Sequence, residues 1–106
     1  MTDFKDRFMS LINNEEGREG KSASLKQQRV VCVFRLHSFD DGESAGEALK
    51  KGFIVLIDVS GCEREDAMRI KDFMRGVAYP MQVWIQELKE DIYGYFPDGY
   101  QIQEFA

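Results

Sequence analysis

Hydrophobic and polar residues occur in blocks along the chain, and each block has the period of one kind of element. In residues 1–12, at about 100° per residue, the apolar side chains fall on one side of a helix. These side chains are Met1, Phe4, Phe8, Leu11 and Ile12. Asp3, Asp6 and Ser10 face the other way. Lys5 and Arg7 flank the apolar stripe, where their stems can lie along a membrane surface. The pattern predicts an amphipathic helix that lies in the membrane interface.

Residues 13–28 contain almost no apolar side chains and are rich in Gly, Ser, Asn and Gln. A segment of this composition cannot bury enough surface to order itself. We therefore predict a flexible linker, followed by a single compact domain over residues 29–106.

Within residues 29–106 the pattern alternates between strand and helix periods, in the order β-α-β-α-β-β-β. The predicted strands cover residues 30–36, 53–59, 81–88, 91–96 and 100–105. The first helix is expected to run to Lys51 and to end at Gly52, and the second to begin at a Ser60–Glu63 capping box. These elements predict a two-layer α/β fold in which two helices pack on a mixed sheet of about five strands. A domain this small is often only marginally stable alone, so we expect it to form oligomers.

Charge and candidate chemistry narrow the function. The net charge of −5 lies entirely in residues 29–106, which disfavours nucleic acid and favours a partner with basic groups. The single histidine, His37, stands at a strand end, and Cys32 and Cys62 lack metal-type spacing. We expect no enzyme activity, no cofactor and no metal. No apolar run reaches the roughly 18 residues of a membrane span and no signal peptide is visible, so a cytoplasmic protein is expected.

One motif resembles a known family. Ala67 is followed by R-I-K-D-F-M-R-G-V-A-Y over residues 69–79, then by D-I-Y at 91–93 and F-P-D at 96–98. This order resembles the C-terminal domain of the SepF family, whose most specific pattern is A-x-R-I-x-D-F-x-x-G-x-x-Y. The resemblance extends without a gap from Ile54 to Ile102, and residues 30–52 also fit.

The resemblance implies a homodimeric domain that binds the C-terminal tail of FtsZ. It also implies that the N-terminal helix lies on the inner face of the cytoplasmic membrane, so that FtsZ filaments are tethered at the division site. By position, the tail-binding residues would be Ala67, Glu87 and Tyr93. Glu87 stands where relatives often have a basic residue, and Tyr93 where a phenylalanine is usual.

The resemblance also implies an interface between subunits. Gly76 would lie there, because a residue without Cβ permits close packing. Gln82 and Val83 stand where many members have paired glycines, so the contact at these two positions is expected to differ.

Two other interpretations fit the same residues. One is a small dimeric α/β regulatory domain that binds a metabolite, which an apolar pocket with polar groups at the dimer seam would favour. The other is a divergent SepF-like scaffold with a different partner.

Overall fold

The computed structural model describes residues 30–106, so the predictions made for residues 1–12 and 13–28 lie outside the described residues. The order of elements from residue 31 is β1, α1, β2, α2, β3, β4, with a single 3-10 turn before α1 and another after α2. Their bounds are Val31–Arg35 (β1), Phe39–Asp41 (3-10), Gly42–Lys50 (α1), Ile54–Asp58 (β2), Arg64–Ala78 (α2), Tyr79–Met81 (3-10), Trp84–Lys89 (β3) and Ile92–Phe96 (β4). None of the helices in this range is long and apolar enough to cross a membrane.

The four strands form one mixed sheet in the order β1-β2-β4-β3. β1 and β2 are parallel and are joined through α1, whereas β4 is antiparallel to both β2 and β3. This arrangement confirms the predicted two-layer fold of two helices on a mixed sheet. The sheet has four strands where about five were expected.

The missing strand is the last one, because residues 100–105 form no strand. A turn over Pro97–Tyr100 precedes them, closed by the Tyr100 N–H donating to the Pro97 carbonyl at 3.2 Å, with Gly99 at a φ of 98°. Further on, the Gln86 side-chain amide donates to Glu104 Oε2 at 2.9 Å. The final segment thus contacts β3 through side chains instead of adding a ladder of backbone hydrogen bonds.

The end of α1 is as predicted. Gly52 has a φ of 93°, and its N–H donates to the Leu49 carbonyl at 2.9 Å while the Phe53 N–H donates to Ala48 at 3.2 Å. This pair of hydrogen bonds is a Schellman motif, in which glycine takes the left-handed conformation at no steric cost.

The start of α2 differs from the prediction. The residue that precedes the helix is Glu63, with a φ of −67° and a ψ of 156°, and no side chain caps the helix. The Ser60 N–H donates instead to Asp58 Oδ1 at 2.9 Å. The predicted Ser60–Glu63 capping box is therefore wrong, because Ser60 belongs to a turn that β2 organises.

The core lies between the two helices and one face of the sheet. Its largest fully buried members are Leu36, Leu49, Val55, Ile57, Val59, Ile70, Met74 and Tyr95. Burial of each such side chain contributes about 1.5–3 kcal/mol relative to exposure. The strand members come from alternate positions of β2 and β4, as a sheet with one covered face requires.

Small residues on α1 allow α2 to approach closely. A Cβ at Gly46 would lie 2.7 Å from Cε2 of Phe73, so the phenyl ring occupies the space that a side chain would take. The same ring contacts Phe39 edge to face, with 6.1 Å between centroids. The Arg69 guanidinium lies over the Phe39 ring, with its Cζ 4.1 Å from the ring centroid.

Candidate functional site

A groove lies between α2 and the edge strand β3. Ile85 and Glu87 of β3 are exposed on the helix side of the sheet, at its edge. The antiparallel register places Ile85 opposite Tyr95 and Glu87 opposite Tyr93, so these four side chains share one face. We call this surface, with Lys71 and Arg75 of α2, the α2–β3 groove.

The helical wall of the α2–β3 groove is basic. Lys71 and Arg75 are four residues apart, so they lie on one side of α2. Lys71 Nζ lies 4.9 Å from the centroid of the Tyr93 ring, within the range of a cation–π contact. The groove encloses a cavity of about 140 Å³ lined by Lys71, Arg75, Ile85, Glu87, Tyr93 and Tyr95.

Charges in the α2–β3 groove are not neutralised internally. Within residues 30–106, none of Lys71, Arg75 and Glu87 forms an ion pair within 4.0 Å. At the base, burial and then the neighbouring Tyr93 raise the pKa of Tyr95 to about 12, so its phenol stays neutral at physiological pH. The groove thus offers two cations, one carboxylate and aromatic surface to a ligand.

The described chain lacks activated nucleophiles and metal clusters. Burial raises the pKa of Cys32 to about 11. The pKa of Cys62 is also raised, by burial and then by the carboxylates of Asp66, Asp41 and Asp58. Its thiol donates to the Leu36 carbonyl at 3.4 Å. No group of three or more His, Cys, Asp or Glu side chains between residues 30 and 106 is placed to hold a metal.

The structure brings two of the three residues expected to bind a tail into one place. Glu87 and Tyr93 both line the α2–β3 groove, whereas Ala67 is half-buried on α2, one turn before Lys71 and outside the lining. Sequence reasoning missed Lys71 and Arg75 as site residues. Their spacing of four on a helix was visible, but only the packing of α2 beside β4 sets Lys71 over Tyr93.

The residues expected at a subunit interface lie in two separate cavities. Gly76 lines an apolar depression of about 610 Å³ together with Lys50, Asp72, Phe73, Val77, Pro80 and Met81, which we call the Gly76 depression. Among residues 30–106, apart from its chain neighbours and the nearby backbone of α2, nothing lies within 4 Å of a Cβ built on Gly76. Gln82 and Val83 line a different cavity of about 450 Å³, beside Trp84 and the C-terminal segment. Gln82 has a φ of 55°, where the chain turns from the helix into β3.

A second exposed apolar surface lies on the sheet face opposite the helices. Val31 and Val33 are each 48% exposed, and Trp84 is 60% exposed. The ring of Phe96 lies over Gly94, 2.6 Å from where a Cβ of that glycine would be, and so covers part of this face.

The fold and the sequence match known proteins. The family model for cell division protein SepF matches residues 31–102. Cell division protein SepF 1 of Streptomyces avermitilis is 28% identical over 99 residues, which cover 93% of this chain and 72% of that protein. Cell division protein SepF of Ruminiclostridium cellulolyticum is 33% identical over 91 residues, covering 84% of this chain and 58% of that protein.

Among solved structures, a SepF-like protein from Archaeoglobus fulgidus superposes with a TM-score of 0.62 over 72% of this chain and 94% of that one. The two sequences are 18% identical, so the likeness concerns the fold. The match of the family model to residues 31–102 spans both helices, all four strands and the α2–β3 groove. The chain therefore belongs to the SepF family of cell division proteins.

Proposed function

We propose that this protein binds the C-terminal tail of FtsZ in the α2–β3 groove and tethers FtsZ filaments to the inner face of the cytoplasmic membrane through residues 1–12. The observation that supports tail binding is the position of Glu87 and Tyr93, which face each other across β3 and β4 beside Lys71 and Arg75 of α2. A tail is an extended ligand, and an open groove with an aromatic base suits such a ligand. The protein acts by assembly and not by catalysis.

Exposed apolar surface beside the basic wall supports a peptide ligand further. Met68 of α2 is 56% exposed, and Ile85 of β3 is 39% exposed. Apolar side chains of the ligand that cover either of these residues would add hydrophobic contact to the ionic contacts of Lys71 and Arg75. Aromatic residues at the centre of an interface commonly contribute most of its binding energy, which favours Tyr93 as the anchor.

Replacement of Tyr93 tests the tail site. Tyr93→Ser removes the ring that Lys71 approaches, and should weaken binding of a fluorescent FtsZ tail peptide by at least about tenfold in anisotropy titrations. Tyr79→Ser is the matched control, since Tyr79 is 86% exposed and outside the groove. Thermal unfolding followed by circular dichroism checks that both variants fold. Equal affinity of Tyr93→Ser and the unchanged protein would place the tail elsewhere.

The tether is supported by the sequence pattern of residues 1–12. Four or five apolar side chains that are partly buried among lipid headgroups bind weakly, because each contributes at most about 1.5–3 kcal/mol when fully buried. Several copies bound along one FtsZ filament would raise the effective concentration and make the attachment stable. Since Lys5 and Arg7 are balanced by Asp3 and Asp6, apolar insertion outweighs attraction to anionic lipid.

Phe8→Glu tests the tether. It places a charge in the apolar stripe and should abolish co-sedimentation with phosphatidylglycerol and phosphatidylethanolamine vesicles, while tail binding stays unchanged. Ser10→Glu adds the same charge on the polar side of the predicted helix and should retain vesicle binding. If Phe8→Glu sediments as well as the unchanged protein does, residues 1–12 are not the anchor.

Self-association is the third part of the proposal, and the Gly76 depression is our candidate for the contact. Lys50 and Asp72 both border this apolar surface, and we place Lys50 of one copy against Asp72 of the other across a twofold axis. Gly76 adds no Cβ, and therefore lets a second helix approach. The pair Gln82 and Val83 remains a separate candidate contact beside Trp84.

A charge swap tests this contact. Lys50→Glu and Asp72→Lys should each weaken association in sedimentation velocity, and the double variant should restore it. Glu43→Lys serves as a control, because Glu43 is exposed on α1 and does not line the depression. Failure of the double variant to restore association would exclude a contact between Lys50 and Asp72.

A further inference from the structure

Three charged side chains line the α2–β3 groove together with Tyr93, and none of them forms an ion pair within residues 30–106. Lys71 and Arg75 belong to the helical wall, and Glu87 belongs to the strand wall. The ion pairs that do form in the described chain involve other residues, Lys50 with Glu47 and Arg69 with Asp66. The groove therefore presents unpaired charges of both signs.

The two signs belong to different elements: the cations belong to α2, and the carboxylate belongs to β3, the strand that pairs with β4. Lys71 Nζ is 4.9 Å from the Tyr93 centroid, and Arg75 follows Lys71 by about one turn, or roughly 6 Å along the helix. Glu87 stands directly opposite Tyr93 in the register, a position that brings Cβ atoms to about 4.5–5.5 Å. A ligand that crosses the ring would thus pass from cations, over an aromatic surface, to a carboxylate.

From this arrangement we infer that the α2–β3 groove reads charge on both walls: it selects an extended segment with an acidic, an apolar and a basic side chain in turn. The carboxylate pairs with Lys71 and Arg75, the apolar side chain covers Tyr93, and the basic side chain pairs with Glu87. In an extended chain, alternate residues face the same side about 6.6 Å apart, so the three side chains occupy alternate positions. This inference rests on the proposed function, because it takes the FtsZ tail as the natural segment.

Lys71 and Arg75 form a local basic site on a domain whose net charge is negative. Residues 29–106 hold fourteen acidic and nine basic side chains, so most of the surface repels an acidic segment. A segment with only acidic residues would be repelled by Glu87, and one with only basic residues by Lys71 and Arg75. Glu87 thereby becomes the residue that excludes purely acidic ligands.

The experiment measures coupling between groove and ligand charges by titration calorimetry on the full chain. One probe is the tail peptide of the cognate FtsZ; three variants of it carry amides for its carboxylates, neutral side chains for its basic residues, or both changes. A second probe is a synthetic extended peptide with Asp, Phe and Arg at alternate positions, compared with its uncharged analogue.

Glu87→Gln and Lys71→Gln are the groove variants. Glu90→Gln and Lys51→Gln, both exposed and outside the groove, change net charge equally and serve as controls.

We expect Glu87→Gln to weaken binding of the unmodified tail about two- to fivefold at low salt, the range for a partly exposed ion pair. For the tail peptide whose basic residues are neutralised, Glu87→Gln and the unchanged protein should have the same affinity. Lys71→Gln should show the corresponding coupling to the tail's carboxylates, and both controls should bind like the unchanged protein. Higher salt should reduce these differences.

Additive losses, in which Glu87→Gln weakens both forms of the tail equally, would overturn the inference and leave tail binding intact. Binding of the charged synthetic peptide, but not of any FtsZ tail, would retain the inference and reject the proposed partner. Binding of neither probe would overturn both.

Discussion

Two glycines of the helices provide a matched test of how α1 and α2 pack. Gly46 of α1 and Gly76 of α2 are both helical, so replacement by alanine should give the same intrinsic gain of about 0.8–1.0 kcal/mol. Their surroundings differ completely. In the described part of the chain, a Cβ at Gly76 meets nothing within 4 Å beyond its own stretch of helix. A Cβ at Gly46 would lie 2.7 and 2.8 Å from Cε2 and Cζ of Phe73.

The magnitudes follow from these distances. Gly76→Ala should keep most of the helical gain and stabilise the protein by about 0.5–1 kcal/mol, or roughly 2–8 °C in Tm for a domain of this size. Gly46→Ala brings atoms about 1 Å inside the normal carbon contact of about 3.5–4.0 Å. Overpacking of this kind costs about 1–3 kcal/mol, which offsets the gain and leaves a net loss of about 0–2 kcal/mol. Movement of the Phe73 ring away from the new methyl group would disturb its edge-to-face contact with Phe39.

The assay is urea and thermal unfolding followed by circular dichroism, at a concentration where light scattering finds monomers. The two variants should differ by about 1–3 kcal/mol, with Gly76→Ala the more stable. Equal stability, or a more stable Gly46→Ala, would refute the account of the interface between α1 and α2. A loss of association in Gly76→Ala at high concentration would additionally support the Gly76 depression as a contact between subunits.

Three further outcomes follow from buried or half-buried side chains. Ile70→Ala should lower the free energy of unfolding by about 2–5 kcal/mol in urea titrations, because Ile70 is fully buried against Gly42. A loss below about 1 kcal/mol would contradict this packing. The pKa of Tyr95 is raised to about 12, so the stability it contributes is complete below its unfolded pKa near 10 and is lost as the pH rises toward 12. Urea midpoints between pH 9 and 12 should show this loss, and Tyr95→Phe should reduce it. The pKa of Cys32 is raised to about 11 from 9.0, so fewer thiolates are present at pH 8 than in the unfolded chain. Alkylation of the folded protein by iodoacetamide at pH 8, followed by mass spectrometry, should therefore be about a hundredfold slower. Equal rates in the folded and unfolded chains would contradict the burial of Cys32.

Local pattern predicted most of the elements because helices and strands differ in period. The nearly unbroken apolar run over residues 53–59 predicted β2, and the spacing of Ile70, Met74 and Val77 predicted α2. The local pattern gave a wrong prediction for the last strand, because strand formation there depends on pairing with another strand. Residues 100–105 have a strand-like composition, yet they contact β3 through Glu104 and Gln86 without joining the ladder. A strand needs a free edge in register, which no local pattern specifies.

Some residues of the candidate site were expected from the sequence, and others were identified only from the packing of the fold. Glu87 and Tyr93 came from resemblance, and the antiparallel register places them opposite each other. Lys71 and Arg75 look from the sequence like ordinary solvated charges on a helix. They become part of a groove because α2 packs on the sheet face next to β4 and leaves the edge strand β3 uncovered.

The sequence by itself determined the two-layer fold, the order of the elements as far as β4 and the turn at Gly52, because each depends on the period of side chains or on the conformational freedom of one residue. It also determined the amphipathic pattern of residues 1–12, on which the proposed tether rests. Only the tertiary structure decided that the sheet stops at four strands, that Gly76 and Gln82 line different cavities, and that Lys71 meets Tyr93. These outcomes depend on which surfaces meet across the fold, and contacts between distant residues leave no periodic trace along the chain.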